Sequence, residues 1–278
     1  MLFLFPVAGC STGDEPSPSA TTAPPPVADV PAVVTATDAT IVEEGTTQAP
    51  TTTDPLATPT QNVVIDSVEA TNPVVIHGRA RTFENNVSLR VRDANGGIIA
   101  ESFTTAQGEM GTHSPFTGQV WVTRDPGGRI TAEALEYSAK DGSPQSLVSR
   151  SIQYPVETID ATLYFPDQGC TTVNPFKRTI PKSISMARLL VEALIGGPTA
   201  TERQGGASVA FPHGSAVQGV NLKKGVLTVD FNERLQNVGG SCQAQMIRAS
   251  VTKTLEALPN VSRVVITAGG SEKLALQP

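Results

Sequence analysis

The sequence predicts a multi-domain chain: a disordered Thr/Pro-rich stalk, then an all-β sandwich, then a small α/β (α+β) domain. Three observations support this order. No aromatic residue lies between Phe5 and Phe83. From about residue 62, short segments alternate apolar and polar residues, the period of a half-buried strand. From about residue 157, strand-like segments are mixed with segments of helical period, as in small domains that pack helices on a sheet.

The first ten residues form an apolar run that ends in Val7-Ala8-Gly9-Cys10. This ending resembles the bacterial lipobox, where a signal peptide is cleaved and the cysteine is lipidated. The alternative is a chance cysteine after a short apolar start. Secretory signals open with positive charge, and none precedes Cys10, so we expect the natural start to lie upstream. The resemblance implies an extracytoplasmic protein whose lipidated Cys10 anchors it to the outer face of the cell membrane.

Residues 11–61 are predicted to form a disordered stalk. Residues 11–60 contain seven acidic residues and no lysine or arginine, and are mostly Thr, Pro and Ala. Such a segment cannot bury enough apolar surface to offset the entropy of ordering, and repeated proline favours extended conformations.

Composition restricts the function. The pI of about 5.1 argues against a nucleic-acid partner, which would need a basic surface. Three histidines and three cysteines leave little material for a metal site, so no metal and no cofactor are expected. The common nucleophile, zinc-protease and phosphate-loop motifs do not occur, and we expect no catalytic residues.

Cys170 and Cys242 remain once Cys10 is acylated. Two cysteines in an exported protein predict one disulfide. The alternatives are a redox pair or a nucleophile, but neither cysteine has an obvious base or a CxxC neighbour.

The first domain, residues 62–155, is predicted to be a β-sandwich of about seven short strands. Turn residues separate them, among them Asp93-Ala94-Asn95-Gly96. We expect Trp121 to fill the space between the two sheets. Glu84 could be an acid catalyst, Asp93 and Asn95 calcium ligands, and His77 a metal ligand. We interpret them instead as strand and turn residues, since no glutamate follows at calcium-loop spacing.

The segments Val74-Val75-Ile76-His77-Gly78-Arg79-Ala80 with Phe83-Glu84, and Val87-Ser88-Leu89-Arg90-Val91-Arg92-Asp93 with Gly96, carry a family resemblance. They resemble the immunoglobulin-like domain of bacterial spore germination. The resemblance implies an extracytoplasmic β-sandwich that serves as a binding module or as a spacer, without known catalytic residues.

The second domain, residues 157–272, is predicted to contain a strand over 161–165 and a helix over 185–195 that ends at Gly196-Gly197-Pro198, the expected stop signal. Two strands over 217–222 and 226–231, a helix over 241–258 and a strand over 261–267 follow.

This domain resembles the GerMN domain of sporulation and spore germination. The resemblance rests on the helix end Glu192-Ala193-Leu194-Ile195-Gly196-Gly197-Pro198, on Phe211-Pro212-His213-Gly214, and on Gly225-Val226-Leu227-Thr228-Val229-Asp230-Phe231, in the family's order. It implies an envelope interaction domain, with Arg178, Gly197, Pro198 and Asp230 as structural motif residues. The immunoglobulin-like domain often follows GerMN in relatives, whereas here it precedes it.

Three functions remain open. The first is a non-catalytic, lipid-anchored scaffold that contacts peptidoglycan or envelope assembly proteins. The second is a cell-wall hydrolase, with Arg178, Glu192, Glu202 and Asp230 as candidate site residues in this domain; it needs two carboxylates in one cleft. An extracytoplasmic ligand receptor is the third, and it needs a deep apolar pocket. We expect Arg178 to pair with Glu192 or Glu202, Asp230 to act as a turn or cap residue, and His213 to lie in a turn.

Overall fold

The computed structural model describes residues 61–236 and 238–277, and these belong to one compact unit. The expectations for Cys10, for the signal peptide of residues 1–10 and for the stalk up to residue 60 lie outside this range. None of the described helices is long and apolar enough to cross a membrane.

The first domain is a sandwich of two antiparallel sheets, as the alternating pattern predicts. One sheet has the strand order β1-β2-β5 and the other β4-β3-β6-β7. The strands are β1 (Val63–Glu69), β2 (Val74–Ala80), β3 (Asn86–Arg92), β4 (Ile98–Thr105), β5 (Ser114–Val120), β6 (Arg129–Tyr137) and β7 (Pro144–Gln153). Apolar residues of both sheets meet in one core, as in aligned sandwiches.

The predicted turn after β3 is confirmed. The Asp93 carboxylate accepts hydrogen bonds from the amides of Asn95 and Gly97, both at 2.9 Å. This oxygen is therefore committed to closing a hairpin between β3 and β4. The His77 ring bonds Thr117 and Glu69 on the sheet surface.

The second domain combines a hairpin, a mixed three-stranded sheet and three helices. Its elements are β8 (Thr158–Pro166), β9 (Val173–Pro181), α1 (Met186–Ile195), α2 (Ala200–Gln204), β10 (Val217–Lys223), β11 (Val226–Phe231), α3 (Ser241–Glu256) and β12 (Arg263–Ala268). Strand β8 pairs with β9 alone, whereas β11 lies between antiparallel β10 and parallel β12. Helix α3 is the crossover that a parallel pair requires, and it packs on β8 and β12.

The predicted disulfide is present in the structure. Cys170, in the turn between β8 and β9, is bonded to Cys242 in the first turn of α3, with Cα atoms 6.2 Å apart. The bond links the hairpin to the helix that packs against it.

The expectation for Trp121 is wrong. In β5 the buried residues are Ser114, Phe116, Gly118 and Val120, so alternation turns the next side chain away from the sandwich core. Trp121 instead packs against the core of the second domain, with the Arg188 guanidinium 5.3 Å from its ring centroid.

Candidate binding groove

The motif residues around Arg178 form a closed structural cluster. Arg178 Nε donates to Glu202 Oε1 at 3.0 Å, and a terminal nitrogen donates to Glu202 Oε2 and to the Gly197 carbonyl at 3.1 Å. Both charged side chains are 7% exposed. Sequence analysis left Glu192 and Glu202 open as partners, and the structure selects Glu202.

The same glutamate also begins α2. Thr199 Oγ1 accepts from the Glu202 amide, and Glu202 Oε2 accepts from the Thr199 amide, a capping box. Burial alone would raise the pKa of Glu202, but its hydrogen bonds to Arg178 and Thr199 hold that pKa below its ordinary value. With both oxygens engaged, Glu202 stabilises the turn at Gly197-Pro198 and has no free position for a substrate.

Asp230 has a local role at the end of the mixed sheet. Its Oδ1 accepts from Thr267 Oγ1 at 2.6 Å and from the Gly270 amide at 2.9 Å. It therefore fixes the turn after β12, which agrees with the predicted role of a turn or cap residue.

Direct hydrogen bonds join the two domains. Asn72 Nδ2 donates to the carbonyls of Val122 and Pro181, at 3.1 and 3.2 Å, and Asn72 Oδ1 accepts from the Val122 amide. Ser183 Oγ donates to the Asn72 carbonyl at 2.6 Å. Since Asn72 is 5% exposed, its amide is a buried polar link that holds the sandwich against the second domain.

Beside this link lies an inter-domain cleft of about 560 Å³. Its sandwich wall includes six consecutive residues of β4, numbers 99–104, and three of β5, numbers 117–119. Successive side chains of a strand point to opposite faces, so a wall of consecutive residues means that the cleft runs along the strand edges. Strands β4 and β5 are both edge strands of their sheets.

The opposite wall carries the pair Arg188 and Glu192 of α1. Arg188 donates to the Val217 carbonyl at 2.9 Å. Its contact with the Glu192 carboxylate is longer, at 3.4 Å. Burial raises the pKa of Glu192, and Arg188 opposes that rise only in part. Glu192 is thus a poorly compensated carboxyl facing a cleft, an environment common at functional sites.

Two further cavities adjoin the cleft on the outer face of the sandwich. A second cavity, also of about 560 Å³, shares residues 101–103 with the cleft and reaches His213 and Gly214. A third, of about 420 Å³, shares Asn86, Ser88 and Tyr137 with the second. We call these three adjoining cavities together the binding groove. It begins at the inter-domain cleft and ends at the turn between β2 and β3.

The groove brings together few of the carboxylates predicted from sequence. Glu192 lies in the cleft and Glu84 at the far end, while Glu202 and Asp230 line none of these three cavities. Glu101, which was not a candidate from the sequence, lines the same cleft as Glu192. Among the described residues there is no group of three or more His, Cys, Asp or Glu side chains that could hold a metal ion.

The groove also contains three aromatic residues that were not predicted as site residues from the sequence, Phe83, Phe103 and Tyr137. For Phe103 the sequence signal is the alternation of β4, in which Glu101, Phe103 and Thr105 share the exposed face. An aromatic side chain at such a position indicates a surface role rather than a core role.

Comparison with known proteins assigns both domains. Residues 55–143 match the family model for the immunoglobulin-like domain of bacterial spore germination, and residues 162–274 match the model for sporulation and spore germination. No curated protein matches the chain.

Among solved structures, the first GerMN domain of the sporulation protein GerM from Bacillus subtilis is 29% identical. The match covers 41% of this chain and 84% of that one, with a TM-score of 0.36. The tandem GerMN domains of the same protein are 26% identical over 41% and 40% of the two chains, with a TM-score of 0.36. A putative lipoprotein from Clostridium perfringens is 17% identical over 41% and 76%, with a TM-score of 0.28.

The first family match ends at residue 143, but β7 (Pro144–Gln153) completes the same sheet by pairing with β6. The structural domain is therefore longer than the matched segment. Taken in chain order, the protein carries an immunoglobulin-like domain of bacterial spore germination followed by a sporulation and spore germination domain.

Proposed function

We propose that this protein is a lipid-anchored component of the bacterial cell envelope that binds a linear partner in its groove without chemically changing it. The single observation that carries the proposal is the groove itself, a set of three adjoining cavities whose lining residues come from both domains. Pockets favour domain interfaces, and a groove open along its length suits a chain-like partner. Peptidoglycan strands and extended segments of envelope assembly proteins both have that form.

The spore germination matches support a binding or scaffold role, since neither matched domain is a known catalytic family. The motif residues Arg178, Gly197 and Glu202 support it too, because their polar groups are used within the protein. Lipidation of Cys10 would hold both domains outside the cell, at the envelope.

The anchor is tested by cell fractionation. The full chain, placed behind a complete lipoprotein export signal, should partition with membranes, and Cys10→Ser should move most of it to the soluble fraction. Ser11→Ala is the matched control and should stay with membranes. Membrane retention of the Cys10→Ser variant would contradict lipid anchoring.

The groove is tested by site-specific photo-crosslinking in the same cells. Gln119 lines the cleft, whereas Gln107 is an equally exposed glutamine of the sandwich that lines none of the three cavities. A crosslinker at Gln119 should give a discrete adduct that is missing at Gln107. The same adducts at both positions would contradict a partner in the groove.

A second candidate function, hydrolysis of cell-wall polymer, is favoured by one observation: Glu101 and Glu192 line the same cleft, and burial raises the pKa of Glu192. A protonated carboxylic acid opposite a carboxylate is the arrangement of glycosidases. Release of soluble fragments from labelled peptidoglycan that is lost in Glu192→Gln would establish this function in place of the first. A receptor for a small apolar ligand would need an enclosed apolar pocket. The cleft is open, and its walls mix apolar residues such as Trp121 with charged ones such as Glu101 and Arg188.

A further inference from the structure

The outer half of the groove gathers the exposed aromatic side chains. Phe83, Phe103 and Tyr137 are 70%, 73% and 43% exposed, and they are the exposed aromatic residues among those that the structure describes. All three line the two outer cavities of the groove. In a chain with only 5% aromatic residues, this grouping marks a surface built for contact.

Strand register explains how the surface is formed. Ser88 of β3 lies opposite Phe103 of β4 on one side and Leu135 of β6 on the other. Leu135 is fully buried yet outside the sandwich core cluster, so it lies beneath the outer face. Small Ser88 thus has exposed Phe103 beside it on β4, and Tyr137, which lines the same cavity, lies two residues beyond Leu135 on β6.

The far end of the groove is held by a strained turn. Glu84 and Asn85 have φ values of 53° and 55°, which cost energy in residues other than glycine. The turn is fixed by the Phe83 amide, which donates to Glu136 at 2.8 Å, and by Asn85 Nδ2, which donates to the Gly108 carbonyl at 2.8 Å. Exposed Phe83 is therefore placed on a rigid support at the rim of the groove.

The polar groups around these aromatic residues indicate the chemistry of the ligand. The outer cavities supply hydroxyl and amide groups from Ser88, Ser102, Asn86 and Gln145. A protein–protein interface would be expected to have a more apolar, charge-depleted centre. Here the aromatic side chains lie among polar groups.

The charged groups of the outer cavities restrict the class of ligand further. Arg90 lines the groove, but it is buried and its guanidinium is bonded at 2.8 Å to the Glu133 carboxylate, which Arg92 also contacts. The remaining charged groups in the outer cavities are the carboxylates of Glu84, Glu101 and Glu136 and the ammonium of Lys140. An acidic lining disfavours polyanions such as nucleic acid or polyphosphate esters.

We infer that the outer half of the groove is a subsite for a glycan strand. A pyranose ring has an apolar C–H face that stacks on aromatic rings and an edge of hydroxyls that bond to Ser88, Asn86 and Gln145. Strands β4 and β6 flank β3, so Phe103 and Tyr137 are ~10 Å apart across the sheet and ~7 Å apart along it, about 12 Å in all, on the order of one disaccharide. The inference rests on the proposed function and names the partner class that this half of the groove accepts.

The inference is tested with purified full-length chain, protein-free peptidoglycan sacculi and soluble chitohexaose. Wild-type protein should sediment with the sacculi and bind the hexasaccharide in calorimetric titration. The double variant Phe103→Ala/Tyr137→Ala should bind at least about tenfold more weakly, since two stacking contacts are lost. Met110→Ala, at an equally exposed residue of the same domain that lies outside the groove, should bind as wild type.

Thermal unfolding of each variant separates lost binding from lost folding, and the single variant Phe83→Ala provides a milder change at the rim. Absence of wild-type binding to both glycans would overturn the inference, and so would equal binding by the double variant. If Gln119 still crosslinks a protein in cells, only the glycan assignment fails. If the glycan binds but Cys10→Ser does not change fractionation, the anchoring part of the proposed function fails alone.

Discussion

Glu192 and Glu202 both face an arginine in the second domain, yet their surroundings shift their pKa values in opposite directions. Glu202 has both oxygens occupied, by Arg178 and by the Thr199 amide, and its pKa is lowered. Glu192 has one long contact to Arg188 at 3.4 Å, and its pKa is raised by burial. The comparison shows that an arginine nearby does not define the role of a carboxylate; the number of satisfied bonds does.

The largest expected effect comes from removing the charge at the satisfied site. Glu202→Gln leaves the Arg178 guanidinium buried without its counter-ion, and losing one partner of a buried pair costs about 3–5 kcal/mol of unfolding free energy. Urea denaturation at pH 7 measures this loss. A variant within about 0.5 kcal/mol of wild type would show that the pair is not a stabilising element.

A smaller loss is expected when the charge is kept and the geometry is changed. In Arg178→Lys, a single ammonium cannot make the forked contacts to both Glu202 oxygens and also reach the Gly197 carbonyl. We expect a cost of about 2 kcal/mol, the range for hydrogen bonds to charged groups. If Arg178→Lys lost as much as Glu202→Gln, geometry rather than charge would dominate this site.

The helices and strands of the molecule could be predicted from the sequence better than its groove. All seven sandwich strands, α1, α3 and strands β10 to β12 were predicted because each has its own periodic pattern. Strand β9 (Val173–Pro181) was not, since it begins and ends near prolines and has no apolar alternation, and the five-residue α2 is too short to show a period.

The groove could not be predicted for a different reason. It combines Ser88, Phe103 and Tyr137 from three strands with His213 from the other domain, and only the tertiary structure brings these distant segments together. An ion pair of Arg178 was predicted, but not its partner, because Glu192 and Glu202 both lie near Gly197-Pro198 in the sequence. Trp121 was misplaced because its apolar character was given more weight than its position one residue after buried Val120, where the alternation of β5 turns the side chain away from the core.

At the less satisfied site, Arg188→Met should cost about 1 kcal/mol. The substitution removes a cation–π contact with Trp121 and the hydrogen bond to the Val217 carbonyl, each a modest contribution. Trp121 is the only tryptophan of the chain, so its fluorescence reports on this contact directly. An unchanged emission spectrum would contradict the placement of Arg188 over the ring.

The smallest expected effect on the free energy of unfolding belongs to Glu192→Gln. The sign of its pH dependence is the sharpest test of the difference between the two glutamates. A raised pKa means that the folded state favours the protonated form, so wild type loses stability as pH rises through that pKa, and glutamine does not. At pH 7 the stability of the variant should equal that of wild type or exceed it by under about 1 kcal/mol, because the pair with Arg188 is partly exposed.

For Glu202→Gln the sign is opposite: the lowered pKa stabilises wild type above the ordinary carboxyl pKa, and the stability deficit of the variant should shrink as the solution is acidified. Denaturation of the two variants between pH 3 and pH 8 checks both slopes, and parallel slopes would show that the two glutamates do not differ in the way that their hydrogen bonds imply.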